Sequence, residues 1–289
     1  MAGAFQGRPR GPGSSIRSHP SRLVLLGHPV AHSLSPRFQN AALRAAGIPI
    51  AYAALDVEPS TLERVVEDLK RERVAGNVTV PFKERVHDAC GELTPLARRV
   101  GAVNTFWVDD DGALIGDNTD VGGFEHAVGS LLGATPRDLT VGVLGGGGAA
   151  AAVLAAVETW SGCTAHIYNR TPERARLLAE RFGSVAQPVD DVGVIAGSQL
   201  VVNATSLGLR DDSLPIDVDL LAPQAAVVDL VYRPGETAFV RAARARGHRS
   251  VDGLPMLCEQ GALAFERWFG QSPDRAVMWR ALTESSPAS

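Results

Sequence analysis

From residue 23 onward the chain alternates short apolar runs with longer stretches in which apolar residues recur at helical spacing. Residues 23–26 (LVLL) read as a short apolar strand. Leu62, Val65, Val66 and Leu69 then fall at i, i+3, i+4 and i+7, the period of a helix that buries one face, and Ser60 with Glu63 makes a capping box ahead of it. Residues 74–80 read as another strand. Residues 105–108 and 113–115 flank an Asp111-Gly112 turn and predict a hairpin. A connecting helix is expected over 121–132 and a C-terminal one over 256–269. No internal repeat breaks this order, and 289 residues leave room for about two domains of α/β type.

The sharpest single feature is residues 140–150, TVGVLGGGGAA, which read as a buried strand, a glycine turn and a helix start in one run. The run fits G-x-G-x-x-A. Gly145 allows the tight turn, Gly147 the close approach of a pyrophosphate and Ala150 the packing of helix on strand, while the helix's free N–H groups face the phosphates. A helix over 149–160 and a strand over 164–168 complete a βαβ unit. An NAD site usually places an acidic residue about 20 positions after the first glycine, to accept from the ribose 2′-OH. Here the second strand ends instead in Asn169-Arg170-Thr171-Pro172-Glu173-Arg174. Thr171 reads as an N-cap and Pro172 as the first helical residue, with Ala175, Leu178, Ala179 and Phe182 at helical spacing beyond. Arg174 in the first turn opposes the helix dipole, and Arg170 adds a second cation. An anion between them resolves the conflict, and the 2′-phosphate of NADP fits that description.

Composition narrows the class further. A net charge of -4 gives no electrostatic case for nucleic acid or an anionic membrane as partner. Cys90, Cys163 and Cys258 are scattered, with no CxxC pair, which points to a reducing compartment and a cytoplasmic protein. Residues 139–157 carry no charge, but glycines interrupt them and they read as a buried strand and helix rather than a membrane span. Residues 1–21 are rich in Gly, Pro, Arg and Ser and lack an apolar h-region; they read as a disordered arm.

The polar clusters of the first half carry the chemistry. Ser33-Leu34-Ser35, Asn77-Val78-Thr79-Val80-Pro81-Phe82-Lys83, Asn104-Thr105 and Asp117-Asn118-Thr119-Asp120 each fall on a loop or at a strand end. Together they offer hydroxyls, amides, one lysine and carboxylates, with no metal-ligand spacing. Such a set suits a small polyhydroxylated acid, and a lysine held by a carboxylate can donate to the oxygen formed when a ketone is reduced.

Taken in order, the strings GHPVAHSLSP, NVTVPFKE, GAVNT, GDNTD, GGGGAA, NRTPERA, NATSLG and DGLPMLCEQGA resemble the shikimate dehydrogenase family, over residues 23–282. The resemblance implies NADP-dependent interconversion of 3-dehydroshikimate and shikimate, a step of aromatic amino-acid biosynthesis. It implies a three-layer α/β substrate domain over 22–120, completed by a C-terminal helix over 254–285, and a Rossmann-like NADP-binding domain over 121–253, with the site in the cleft between. By the same resemblance Lys83 and Asp120 match the catalytic pair. Ser33 and Ser35 would hold the substrate carboxylate, closed over by Tyr232, and Thr79, Asn104 and Gln260 its hydroxyls. Gly145, Gly147, Gly148 and Ala149 match the glycine turn, Asn169, Arg170, Thr171 and Arg174 the 2′-phosphate grip, and Thr205, Leu230 and Gly253 the nicotinamide half. Gly146, Val121 and Pro255 depart from the family pattern at loop and hinge positions, and Leu230 stands where methionine is common. Two alternatives share much of this pattern: a quinate or quinate/shikimate dehydrogenase, which often uses NAD, and a non-catalytic NADP-binding protein. A monomer and a homodimer are equally compatible with the sequence.

Overall fold

The computed structural model describes residues 19–284. Two six-stranded sheets follow one another along the chain. The first is built from β1 (Leu23–Gly27), β2 (Tyr52–Asp56), β3 (Ala75–Val78), β4 (Glu92–Leu93), β5 (Thr105–Val108) and β6 (Leu114–Asp117), in the order β2-β1-β3-β5-β6-β4. Strand β1 runs parallel to β2 and β3, whereas β5 is antiparallel to both β3 and β6.

Successive side chains of a strand point to opposite faces, and β1 buries both. Leu23 and Leu25 join Phe38, Phe265, Trp268 and Met278 on one side; Val24 and Leu26 join Leu62, Val66, Leu69, Phe82 and Val86 on the other. The first face is covered by α1 (Ser35–Ala45) and, from the far end of the chain, by α10 (Leu254–Phe269) and α11 (Arg275–Thr283). The second face is covered by α2 (Leu62–Arg71) and α3 (Lys83–Ala89), and α4 (Pro95–Val100) leads into β5. This is the expected three-layer arrangement.

The second sheet contains β7 (Thr140–Leu144), β8 (Thr164–Tyr168), β9 (Ala186–Pro188), β10 (Leu200–Asn203), β11 (Ala226–Asp229) and β12 (Ser250–Val251). All its pairings are parallel, in the order β12-β11-β10-β7-β8-β9. Read from its first strand, the order reverses between β7 and β10, and in a doubly wound sheet ligands bind at such a reversal, beyond the strand C-termini. Helices α5 (Asp120–Leu132), α6 (Gly148–Val157) and α7 (Pro172–Arg181) pack on one face; α8 (Val192–Ala196) and α9 (Ala238–Ala245) pack on the other. Every residue of α6 from Ala150 to Val157 is buried, which explains its uncharged sequence. Among the described residues no helix is long and apolar enough to cross a membrane.

An exchange of arginines fastens the two halves. Arg99 of α4 donates through Nε and Nη2 to the Glu158 carboxylate at 2.8 and 2.5 Å, and its guanidinium lies 4.4 Å from the centre of the Phe182 ring. In return Arg181 of α7 donates to the Val100 carbonyl at 2.5 Å.

Several local expectations are corrected. The capping box at Ser60 does not form: Pro59 starts a single 3-10 turn, Pro59–Thr61, and α2 begins only at Leu62. The Thr61 hydroxyl donates to the Glu58 carbonyl at 3.0 Å within that turn. The C-terminal segment is two helices rather than one, because Gly270 adopts φ +65° and ends α10. Of the arm expected over 1–21, residues 1–18 lie outside the described residues, whereas Pro20 is buried and Ser21 donates to the backbone of residues 72 and 73.

Trp268 joins α10 to the first sheet: it is fully buried and its Nε1 donates to the Phe106 carbonyl at 3.2 Å. Trp268→Ala is expected to cost about 3–5 kcal/mol, a fall in melting temperature of roughly 6–20 °C for a chain of this size. Thermal unfolding followed by circular dichroism measures it, and a shift of under about two degrees would show that α10 does not complete this core.

Candidate active site

The C-terminal ends of the strands in both sheets open onto one cleft. Ser33 lies in the loop after β1, and Ser35 is the first residue of α1. Thr79 follows β3, and Lys83 opens α3 after the cis peptide between Val80 and Pro81. Asn104 precedes β5 and Asp120 opens α5, directly after β6 and the Asn118-Thr119 link. From the second half, Leu230 and Tyr232 follow β11, while Gly253 caps α10 and Gln260 lies inside it. These eleven residues, counting Ala149 at the start of α6, line a single cavity of about 150 Å³.

At its centre Lys83 Nζ donates to Asp120 Oδ2 at 2.5 Å, with side chains only 18% and 6% exposed. The other oxygen of Asp120 accepts from Asn104 Nδ2 at 2.8 Å. Asn104 is fixed in turn: its Oδ1 accepts from the Thr119 backbone N–H at 2.7 Å, and its Nδ2 also reaches Gln260 Oε1 at 3.2 Å. The backbone around Asp120 is held by Asn118, whose Oδ1 accepts from the Asp120 N–H at 3.1 Å and whose Nδ2 donates to the Ala102 carbonyl at 2.9 Å. A buried charge pair is tolerated when its remaining hydrogen-bonding capacity is met, and here amides meet it on the carboxylate side.

The opposite end of the cavity is a group of hydroxyls. Tyr232 faces Ser33, and burial pushes its phenol above the ordinary value, against the opposing hydrogen bonds from Ser33 and the Leu34 backbone. Ser33 Oγ also accepts from the Ser35 N–H at 3.2 Å. Neutral hydroxyls and free N–H groups at a helix start are suited to a carboxylate.

The glycine turn lies beside this cavity. Gly145 has φ +136°, and a Cβ there would stand 2.7 Å from the Ala204 carbonyl, so no other residue fits. Nothing lies within 4 Å of the Cβ position of Gly147, the N-cap of α6. A Cβ on Gly148 would touch Ala102 at 3.2 Å and the Lys83 stem at 3.6 Å, which places the dinucleotide turn directly against the lysine. Asn169 and Arg174 both border the Cβ position of Gly146, and Arg170 and Arg174 are exposed. Thr171 occupies the N-cap position of α7 as expected, yet its side chain makes no capping bond; Asn169 Nδ2 donates to the Thr171 carbonyl at 2.9 Å instead. Thr205 is tied to Asn203 Oδ1 by its hydroxyl at 2.7 Å and its N–H at 3.0 Å. Asn203 Nδ2 donates to Asp229, whose buried carboxyl is pushed above the usual carboxylate range by desolvation.

Asn77, which the sequence pattern does not mark as a site residue, lines the same cavity as Lys83, Asp120 and the hydroxyl set. It stands two residues before Thr79 on the same strand end, so a period-2 reading of that strand finds it. Gly145, Gly147, Gly148, Asn169, Arg170, Thr171, Arg174 and Thr205 lie outside the cavity lining, on the turn and the loops beside it.

Known proteins share this architecture. The family model described as the shikimate dehydrogenase substrate binding domain matches residues 25–106, and that described as the shikimate 5'-dehydrogenase C-terminal domain matches residues 253–283. A shikimate dehydrogenase (NADP(+)) from Rubrobacter xylanophilus is 45% identical over 277 residues, covering 93% of this chain and 97% of its own. Among solved structures, the shikimate 5-dehydrogenase of Thermus thermophilus in complex with NADP(H) and shikimate superposes with a TM-score of 0.81 at 41% identity, covering 90% of this chain and 97% of that one. The quinate dehydrogenase of Corynebacterium glutamicum in complex with NAD also reaches a TM-score of 0.81, but at 29% identity, covering 91% of this chain and 98% of that one. With 45% identity along nearly its whole length and both sheets in the same arrangement, this chain belongs to the shikimate dehydrogenase family.

Proposed function

We propose that the protein is an NADP-dependent shikimate dehydrogenase that interconverts 3-dehydroshikimate and shikimate. The observation that carries this reading is the Lys83–Asp120 pair, set in a polar cavity whose other wall is the start of the dinucleotide helix. In this reading residues 22–120 with 254–285 form the substrate domain and residues 121–253 the cofactor domain. The free cysteines, the negative charge and the small cavity support a cytoplasmic enzyme acting on a small molecule, without nucleic acid or membrane as partner. Both a monomer and a homodimer are compatible with this reading.

The turn fits the cofactor, since Gly147 leaves open space before the free N–H groups of α6 and Arg174 borders the same turn. Gly145, Gly147, Gly148 and Ala149 would hold the pyrophosphate, Asn169, Arg170, Thr171 and Arg174 the 2′-phosphate, and Thr205, Leu230 and Gly253 the nicotinamide half. NADP, when bound, supplies or accepts the hydride at its nicotinamide.

The chain's own residues do the remainder. Ser33, Ser35 and Tyr232 bind the substrate carboxylate, and Thr79, Asn104 and Gln260 its hydroxyls, which fixes the ring in one orientation. Lys83 Nζ then faces the reacting oxygen; in the reductive direction it stabilises the developing negative charge and holds the proton that oxygen takes up. Asp120 Oδ2 orients Lys83, and Asn104 prevents the carboxylate from turning away.

The quinate alternative is disfavoured by the arginines at Arg170 and Arg174, which an NAD enzyme does not need. A spectrophotometric assay of cofactor reduction separates the readings: turnover is expected with shikimate and NADP, and turnover with quinate and NAD in their place would overturn this assignment. Charge-assisted hydrogen bonds contribute roughly 1.5–3 kcal/mol each. Replacing both Arg170 and Arg174 by alanine should therefore cut kcat/KM for NADP by at least about tenfold to a hundredfold and leave NAD nearly unaffected; equal losses for the two cofactors contradict the grip.

For the central pair, a positioned proton donor is worth roughly a hundredfold to ten-thousandfold in rate. Lys83→Met, which keeps most of the stem, should lower kcat by about that range with a smaller effect on KM. Groups acting as one unit lose activity non-additively, so adding Asp120→Ala should cost little more. Steady-state kinetics of the three variants would reveal independent roles if the two losses multiplied.

A further inference from the structure

Tyr52 is the only buried residue of β2, and its ring lies tilted against Trp268 with centroids 6.1 Å apart. A phenylalanine would satisfy that packing. The phenol nevertheless carries a hydroxyl into the interior, and a buried hydroxyl is unfavourable unless it is hydrogen-bonded. Tyr52 Oη donates to Asn77 Oδ1 at 2.9 Å, and Asn77 Nδ2 donates to the Asn104 carbonyl at 3.1 Å. The Asn104 carbonyl fixes the orientation of the Asn77 amide, because a flipped amide would set its oxygen against another acceptor. The second hydrogen on Nδ2 is left for the cavity that Asn77 lines.

Tyr52 is itself anchored to α1. Asn40 Nδ2 donates to the Tyr52 carbonyl at 2.8 Å, and the Tyr52 N–H donates to Asn40 Oδ1 at 3.0 Å. That helix begins with Ser35, whose hydroxyl the phenol faces. Burial and the neighbouring Tyr232 push the phenol well above its ordinary value, so it stays neutral next to an acidic ligand.

We propose that Tyr52 is a positioning residue for the substrate: through Asn77 it ties α1, which carries Ser35, to the strand end that carries Asn104, and so fixes the spacing between the carboxylate-binding and hydroxyl-binding ends of the cavity. This inference rests on the shikimate reading given above. Tyr52 lies outside the cavity lining and acts through Asn77.

The test is a double-mutant cycle of Tyr52→Phe and Asn77→Ala, with KM for shikimate, KM for NADP and kcat measured for each form. Loss of one neutral hydrogen bond corresponds to about a threefold to tenfold change. Tyr52→Phe should raise KM for shikimate by about that factor, hold kcat within about twofold and leave KM for NADP unchanged. In the Asn77→Ala background the same change should add nearly nothing, because its partner is already gone. An unchanged KM for shikimate, a matching rise in KM for NADP, or losses that multiply would each overturn the positioning role. Wild type assayed in parallel keeps the two claims apart: an active wild type with an unaffected Tyr52→Phe refutes this inference alone, and a wild type inactive on shikimate refutes both.

Discussion

A lysine and an aspartate held 2.5 Å apart with little access to water set the terms for the rest of the site. Removing one partner of such a pair typically costs about 3–5 kcal/mol, because the other is left as an uncompensated charge. The pair therefore persists only if its lone pairs and protons are met, and the surrounding amides supply that. Asn104 binds the second oxygen of Asp120, Thr119 binds Asn104, and Asn118 fixes the backbone between them. Each of these residues falls within two positions of a strand end or helix start, where backbone groups are free to take part.

The same requirement explains why both sheets open onto one cleft. Lys83 begins α3 in the first half, and its stem packs against Gly148 at the start of α6 in the second. A methyl group at that glycine would crowd Ala102 and the lysine together, so the dinucleotide turn and the lysine are adjusted to each other between the two halves. The arginine exchange through Arg99 and Arg181 holds the α4 end of one half on the α6 and α7 ends of the other, and limits how far that contact can drift.

Much of this was legible in the sequence where the signal is local. The glycine turn at 145–148, the Asp111-Gly112 hairpin and the helical spacing after Pro172 all depend on neighbours within a turn or two, and each appears where expected. Local signals fail where a stronger local rule competes: Pro59 sets up a 3-10 turn ahead of the Ser60 box. The pattern over 256–269 ends where α10 ends, at Gly270, whereas the single helix over 254–285 that the resemblance implies is divided there. Local signals also fail where the partner is distant. Tyr52 carries no sequence signal of its own until Asn77 is found 25 positions away, and Arg99 shows no purpose until Glu158 is placed beside it. Asn104 and Gln260, 156 positions apart, are joined only by the return of α10. The family resemblance marked Gln260, whereas helical periodicity alone left the destination of that helix open.

That return has a consequence for how the protein is made. The face of the first sheet that carries Leu23 and Leu25 is closed by Phe265, Trp268, Met278 and Leu282, which lie on α10 and α11, the last two helices among the described residues. Domains ordinarily fold in order as a chain leaves the ribosome, yet here the first sheet to be synthesised is the last to be covered. Until α10 and α11 emerge, an apolar surface on β1 and α1 stays open while the second sheet, whose strands and covering helices are contiguous, can already close. One apolar face of the first half thus waits for its cover until translation of the second half is complete.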